Sequence, residues 1–271
     1  MYNKFFGFKE NPFNQTPDSG FFFESLGHKT ALDALLFAIR QRKGFVVITG
    51  EVGAGKTTIA RTLLRKLDRD VKTALVTNTT ISPKGILTLI MEDLGIHYRN
   101  GSKDKLLIQL NNYLLEQMAS DQNVVLMIDE AQNLSPACLE EVRMLSNLET
   151  EKEKLIQIIL LGQPELRRKL ELSSLAQLKQ RISIQYHLNA LSPEDTKNYI
   201  VHRLNHAKLN GEDYSGLFPE GSYRLIYEFT KGIPRVINNL CDHSLLAGYI
   251  AETKKIDEAI VRDAMTTIRH G

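Results

Sequence analysis

Cysteine is nearly missing: only Cys138 and Cys241 occur in 271 residues, in no metal-binding spacing. That excludes a disulfide framework, and both thiols are expected to be reduced and to serve as packing residues. Long apolar runs are missing too. Nothing approaches the ~20 residues needed to cross a bilayer, which excludes a transmembrane helix from these residues. The first residues, Met1 to Phe6, lack the basic segment, apolar stretch and cleavage site of a secretory leader. A cytoplasmic protein is expected. An excess of charge is absent as well: 34 basic against 32 acidic residues leave a net +2. This gives no bulk signature of nucleic-acid binding, although a local patch remains compatible with it. No internal repeat or low-complexity segment is visible. What is present is ordinary globular composition, 42% hydrophobic and 24% charged, which excludes a disordered or fibrous chain.

The chain reads in three parts. The first, to about Gly27, carries Phe5, Phe6, Phe8, Phe13, Phe21, Phe22 and Phe23 between turn residues. So many phenylalanines predict an arm packed on the body. The second part alternates strand-like and helix-like segments. Strands are predicted over 45–49, 73–77, 124–128, 155–161 and 182–188, and helices over 57–67, 84–94, 102–120 and 136–148. Continuous apolar strands between helices indicate a parallel sheet covered on both faces. The third part has no strand-like run. Ser192-Pro193-Glu194-Asp195 is a helix start, with a hydroxyl cap and a first-turn proline. Further helices are predicted over 219–230, 234–252 and 257–268. The expected division is therefore 1–190, the arm plus an αβα domain, and 191–271, a small all-helical domain.

The strongest signal is Gly50-Glu51-Val52-Gly53-Ala54-Gly55-Lys56-Thr57. It matches G-x-x-x-x-G-K-[ST] between a strand and a helix. Its glycines let the backbone wrap an anion, with successive N–H groups, those of Lys56, Thr57 and Thr58 among them, pointing at phosphate oxygens. Lys56 would reach the β/γ-phosphates of a nucleotide and the Thr57 hydroxyl would ligate Mg²⁺. The alternative is a glycine turn with an accidental match. The second signal is Asp129-Glu130 at the end of an apolar strand. Its carboxylates would lie at the sheet edge where open α/β sheets bind ligands. Asp129 would hold Mg²⁺, and Glu130 would orient and polarise an attacking water. A plain acidic strand-to-helix turn is the alternative there. Together the two signals identify a P-loop nucleotide triphosphatase. In the helical part, Lys231-Gly232-Ile233-Pro234-Arg235 ends one helix and opens the next. Arg235 falls in a first turn, where a cation opposes the helix dipole, so a phosphate partner would explain it. A solvated arginine is the alternative.

The Gly-x-Pro-Arg run, following a Walker A and an Asp-Glu Walker B motif, resembles sensor 2 of an AAA+ ATPase. Further residues narrow the resemblance to the ExeA-like family, the AAA+ ATPases of general secretion pathway protein A. They are Met1-Tyr2, Phe5 to Phe8, Asn11-Pro12-Phe13, Thr16-Pro17, Gly44-Phe45, Ile128 to Leu134, Leu161 to Leu166 and Gly232 to Asn238. The likeness covers essentially the whole chain. It implies a five-stranded parallel αβα sandwich followed by a helical lid, with Arg235 on the lid sensing the γ-phosphate. Gln163 resembles sensor 1; a loop glutamine before Pro164 is its alternative. Arg181, at the end of the helix before the last strand, takes the usual place of an arginine finger acting on a neighbour's γ-phosphate, with Arg167, Arg168 and Lys179 as rivals. Asn11-Pro12-Phe13 would help form the adenine pocket, or be plain core.

The family resemblance thus implies ATP or ADP with Mg²⁺ as ligands and ATP-dependent homo-oligomerisation. It further implies a membrane-linked secretion partner and a task in placing an outer-membrane secretin. The family's full proteins often continue into a membrane span and a peptidoglycan-binding region, neither of which is in these residues. The membrane link is thus expected from a further C-terminal region or a partner. Two other readings stay open: a transposition-type AAA+ regulator assembling on duplex DNA, and a nucleotide switch with little turnover. His28, His202 and His206 read as surface or packing residues. The basic run Arg40 to Lys43, with Arg61, Arg65 and Lys66, reads as a solvated face more readily than as a nucleic-acid contact.

Overall fold

The computed structural model describes residues 2–16, 18–68, 70–98, 101–151, 153–209, 214 and 216–270. The arm opens with the short helix α1 (Tyr2–Phe6) and leads into α2 (Leu26–Arg40). Then β1 (Phe45–Gly50), α3 (Lys56–Lys66), β2 (Val71–Val76), α4 (Pro83–Asp93), α5 (Lys103–Ala119) and β3 (Asn123–Ile128) follow. Next come α6 (Pro136–Leu145), β4 (Gln157–Gly162), α7 (Pro164–Leu170), α8 (Ala176–Arg181) and β5 (Ile182–Leu188). The chain closes with α9 (Pro193–Ala207), α10 (Glu220–Thr230), α11 (Pro234–Ile250) and α12 (Glu258–His270). Contacts gather these elements into two compact units, one of residues 29–50 and 59–188, the other of residues 1–28, 51–58 and 189–271.

The first unit is built on a five-stranded parallel sheet in the order β2-β3-β4-β1-β5. Every residue of β1 and β4 is buried, as interior strands covered on both faces require. The outer strands β2 and β5 alternate toward exposure. Below one face, Ile86, Leu87, Ile90 and Met91 of α4, Leu106, Leu110 and Leu114 of α5 and Leu139, Val142 and Leu145 of α6 join one core with Val124, Leu126, Ile128, Ile158 and Leu160. Each such side chain stabilises the fold by about 1.5–3 kcal/mol on burial. The helices start where hydroxyl and proline specify. Ser82 Oγ accepts the Gly85 N–H at 3.1 Å and Ser135 Oγ the Cys138 N–H at 3.2 Å, each with proline at the first helical position.

The second unit is helical. Phe6, Phe8, Phe13 and Phe21 of the arm are buried among Tyr199, Ile200, Leu204, Phe218 and Leu245. Arg203, itself buried, donates to the Pro12 carbonyl at 2.5 Å, the Asn14 carbonyl at 3.2 Å and the Tyr199 hydroxyl at 2.8 Å. Its guanidinium also lies 4.7 Å from the centre of the Phe21 ring. Asn11 Nδ2 donates to Asp242 Oδ1 at 3.0 Å, beside the Tyr2 hydroxyl on the same oxygen. The arm therefore shares its core with residues 189–271, not with the sheet-bearing segment with which the sequence reading grouped it. Its apolar side chains match the aromatic surface of α9 and α11. The predicted helix at 193 starts as expected, Ser192 Oγ accepting the Asp195 N–H at 3.0 Å. Both cysteines are buried and free. Burial pushes the Cys241 thiol well above its ordinary range, which suppresses thiolate chemistry.

Candidate functional site

β1 runs directly into the loop 51–55, and α3 begins at Lys56. Gly53 and Gly55 take φ of +79° and +103°. Side chains are also excluded there. A Cβ on Gly53 would lie 2.5 Å from Arg235 Cβ, and one on Gly55 2.7 Å from His28 Nε2. The loop is closed by the Ala54 N–H donating to the Glu51 carbonyl at 3.1 Å. The buried Lys56 donates from Nζ to the same carbonyl at 2.9 Å, which holds the ammonium over the loop. Thr57 and Thr58 are half-buried in the first turn of α3. Beneath the loop lies His28, reached through a relay absent from the sequence reading. Ser25 Oγ meets its Nδ1 at 2.7 Å, and its Nε2 meets the Ala54 carbonyl at 3.0 Å. A carbonyl can only accept, so Nε2 carries the proton and Nδ1 accepts from the serine hydroxyl. Burial holds the His28 pKa below its ordinary value, against the opposing pulls of the Ala54 carbonyl and Asp195.

Arg235 follows the turn formed by Lys231 (φ +51°) and Gly232 (φ +75°). Glycine is required there, because a Cβ would stand 2.0 Å from the Leu191 carbonyl oxygen. The Arg235 N–H donates to the Gly53 carbonyl at 3.2 Å and its side chain is exposed. Helix α11 thus brings its first turn onto the glycine loop. Asn11, Pro12 and Phe13, expected near adenine, are committed to the core and to Arg203 and Asp242.

In the sheet unit, β3 is followed directly by the buried Asp129, whose N–H donates to the Val76 carbonyl at 2.9 Å. Asp129 Oδ1 accepts the Glu130 N–H at 2.9 Å. Glu130 is left-handed, with φ 52° and ψ 37°, a conformation costing a non-glycine residue about 1–2 kcal/mol. The Thr79 hydroxyl holds its carbonyl at 3.2 Å. Glu130 Oε2 accepts Gln132 Nε2 at 2.6 Å and Gln163 Nε2 at 3.1 Å, and Gln132 Oε1 accepts the Gln163 N–H at 3.0 Å. Glu130 and Gln163, both expected from the sequence to act at the site, are in direct contact, and Gln132, which carries no signal of its own in the sequence, joins them. Neighbouring β3 and β4 explain the meeting: both residues leave the carboxyl ends of adjacent strands.

Arg181 lies at the opposite edge. Ile182, the residue after it, is in register with Phe45 at the amino end of β1, level with Ile158 and Leu126. Glu130 is four residues beyond Leu126 and three strand spacings across, so the two backbones are about 20 Å apart. Arg181 Nη1 is 3.5 Å from the Ser146 carbonyl. Its rivals are engaged locally: Lys179 pairs with Glu171, and Arg168 with Glu165 at 2.6 Å. Arg167 is exposed. In the basic run, Arg42 pairs with Glu153 at 2.6 Å and Asp121 at 3.4 Å.

Strand order and glycine loop together place the chain in the AAA+ class of P-loop NTPases. Among solved structures it superposes on the Aeropyrum pernix ORC2 protein in ADPNP–ADP complexes with a TM-score of 0.68, at 17% identity, over 96% of this chain and 73% of that one. Similar values hold for the Aeropyrum pernix ORC1 protein in complex with DNA: TM-score 0.69, 15% identity, 97% and 70% coverage. A family model described as an AAA domain matches residues 39–170. In sequence the chain is 37% identical over 257 residues to General secretion pathway protein A of Aeromonas hydrophila, covering 94% of this chain and 46% of that protein. It is thus similar to the ExeA-like AAA+ proteins and spans about half the length of that relative. A further likeness, 28% over 158 residues, covers 58% of this chain and 38% of an uncharacterised HTH-type transcriptional regulator of Methanocaldococcus jannaschii. No helix among the described residues is long and apolar enough to cross a membrane.

Proposed function

We propose that the chain binds ATP with Mg²⁺ and hydrolyses it as one subunit of a homo-oligomer. The observation that carries this is the glycine loop: two positive-φ glycines, side chains excluded at both, and the Lys56 ammonium held over the turn. Residues Gly50 to Thr58 cradle the phosphates, and Arg235, whose backbone is bonded to Gly53, adds positive charge at the γ-phosphate. Residues 191–271 act as the lid. The Thr57 hydroxyl and the Asp129 carboxylate are hard oxygen donors of the kind Mg²⁺ takes, and Asp129 is already fixed by the Glu130 N–H. When bound, the ion neutralises charge on the phosphates. Glu130 directs the attacking water and Gln163 contacts the γ-phosphate. Arg181 sits at the far edge of its own sheet, so its contribution goes to a neighbouring subunit. The relative's name supports a role in general secretion: an assembly-linked conformational change, worked from the cytoplasmic side through a membrane-linked partner.

The test is ATP turnover against protein concentration, with and without duplex DNA, for wild type, Glu130→Gln and Arg181→Ala. Turnover per subunit should rise with concentration, ignore DNA and collapse in both variants, while Glu130→Gln keeps ATP bound. Unchanged turnover in Glu130→Gln would contradict the hydrolytic assignment. Stimulation by DNA would favour the DNA-associated reading, toward which the likeness to a transcriptional regulator points. A flat, negligible rate would favour a nucleotide switch.

A further inference from the structure

Two kinds of bond act on Glu130, and they do different jobs. Asp129 Oδ1 and the Thr79 hydroxyl bond its N–H and its carbonyl. They fix the backbone of residue 130 and say nothing about its carboxylate. The carboxylate is met instead by two side-chain amides, Gln132 Nε2 at 2.6 Å and Gln163 Nε2 at 3.1 Å, both on Oε2.

These amides are not equivalent. Gln132 Oε1 accepts the backbone N–H of Gln163 at 3.0 Å. A backbone N–H can only donate, so the oxygen of the Gln132 amide is committed to it and the nitrogen must face Glu130. The base of Gln132 is anchored as well. Its carbonyl receives Lys169 Nζ, which also reaches the Leu134 carbonyl at 2.8 Å. Ala131 before it and Leu134 two residues after it are buried in the sheet core. The amide fits against the end of β4, where a Cβ on Gly162 would come within 3.1 Å of Gln132 Oε1. Gln132 is therefore a donor of fixed position and fixed polarity, aimed at a carboxylate on a flexible stem.

We propose that Gln132 is a positioning residue for hydrolysis. It holds the Glu130 carboxylate in the orientation from which it acts on water, and ties that carboxylate to the backbone of the loop after β4. This rests on the ATPase reading above, in which Glu130 directs the water. Holding a reacting group in place lowers the barrier without changing how tightly substrate binds in the ground state. Gln163, proposed to contact phosphate, can then turn away while Glu130 stays held by Gln132.

The experiment compares wild type with Gln132→Leu, Gln132→Glu and Glu130→Gln in the full chain. Three readouts are taken: thermal unfolding, the Kd for a fluorescent ATP analogue with Mg²⁺, and kcat with KM for ATP. Gln132→Leu removes donor and acceptor at similar volume. Gln132→Glu keeps the acceptor for the Gln163 N–H but faces Glu130 with a second carboxylate, so a folding defect in one variant leaves the other informative. Both should keep Kd and KM within about 2-fold and lose roughly 10- to 100-fold in kcat, the scale of a misplaced catalytic group. Wild-type kcat in both, with Glu130→Gln inactive, overturns the proposal. So does a parallel loss of Kd and kcat, which would make Gln132 a structural residue. If Glu130→Gln itself turns over normally, it is the ATPase reading that fails.

Discussion

Gly55→Ala and His28→Ala, made singly and together, test whether the histidine relay braces the glycine loop. Gly55 has φ +103°, and a Cβ there would lie 2.7 Å from His28 Nε2. Alanine at this φ costs about 1–3 kcal/mol in backbone strain. The new methyl also displaces the imidazole and breaks its bond to the Ala54 carbonyl, 3.0 Å long in a buried setting. An orphaned buried acceptor costs about 1–3 kcal/mol. His28→Ala orphans the same carbonyl and leaves a void, together about 2–4 kcal/mol. The orphaned acceptor is common to both single variants and the overlap vanishes in the double. The double variant should then be less destabilised than the sum by about 1–2 kcal/mol. Thermal unfolding resolves this. At about 2–4 °C per kcal/mol for a chain of this size, the double should melt about 2–8 °C above the additive expectation. Additivity within about 0.5 kcal/mol would refute the reasoning, because it would mean that His28 and Gly55 do not share a space.

Two further outcomes are expected. His28 and His202 both have pKa values lowered by burial below the ordinary 6.5, His202 with further lowering from His206 and Arg203. Below 6.5 the unfolded chain binds more protons than the native one, so stability is full above that pH and falls as pH drops toward the depressed values. His28→Gln offers a donor to Ala54 without titrating, and should flatten part of the decline of Tm with falling pH; equal slopes for variant and wild type would count against a buried neutral His28. Arg203→Met keeps the stem but leaves the Pro12 and Asn14 carbonyls without their donor. A loss of about 2–4 kcal/mol and new proteolytic cleavage within residues 2–16 should follow; an arm as resistant as in wild type would show that Arg203 does not pin it.

Much of the fold is local in sequence. The apolar runs that become β1, β3 and β4 need no partner to be recognised, and Ser82, Ser135 and Ser192 mark helix starts three residues ahead of the N–H they bond. Boundaries shift where the ladder decides. Leu155 and Ile156 are as apolar as the strand that follows, yet β4 starts at Gln157, the residue paired with Val125. Helix α2, which lies outside the predicted helices, buries Leu32, Leu35, Ala38 and Ile39 at helical spacing. Its start is set by Ser25, next to the aromatic arm, where turn residues dominate the local signal.

The site divides along the same line. The glycine loop and the Asp129-Glu130 pair are legible because each packs its chemistry into consecutive residues. His28, Gln132 and Arg203 are not, since each acts on a group far off in sequence, 26 residues away for His28 and Ala54, 31 for Gln132 and Gln163, 191 for Arg203 and Pro12. Two of the three targets are backbone carbonyls and the third is a backbone N–H, and these groups are identical in every residue. What makes them special is demand. A loop that turns its amides toward an anion turns carbonyls such as that of Ala54 into the protein, and a buried carbonyl needs a donor. The motif therefore predicts that a donor must stand beneath the loop. The fold decides that it is a histidine whose proton Ser25 keeps on the correct nitrogen.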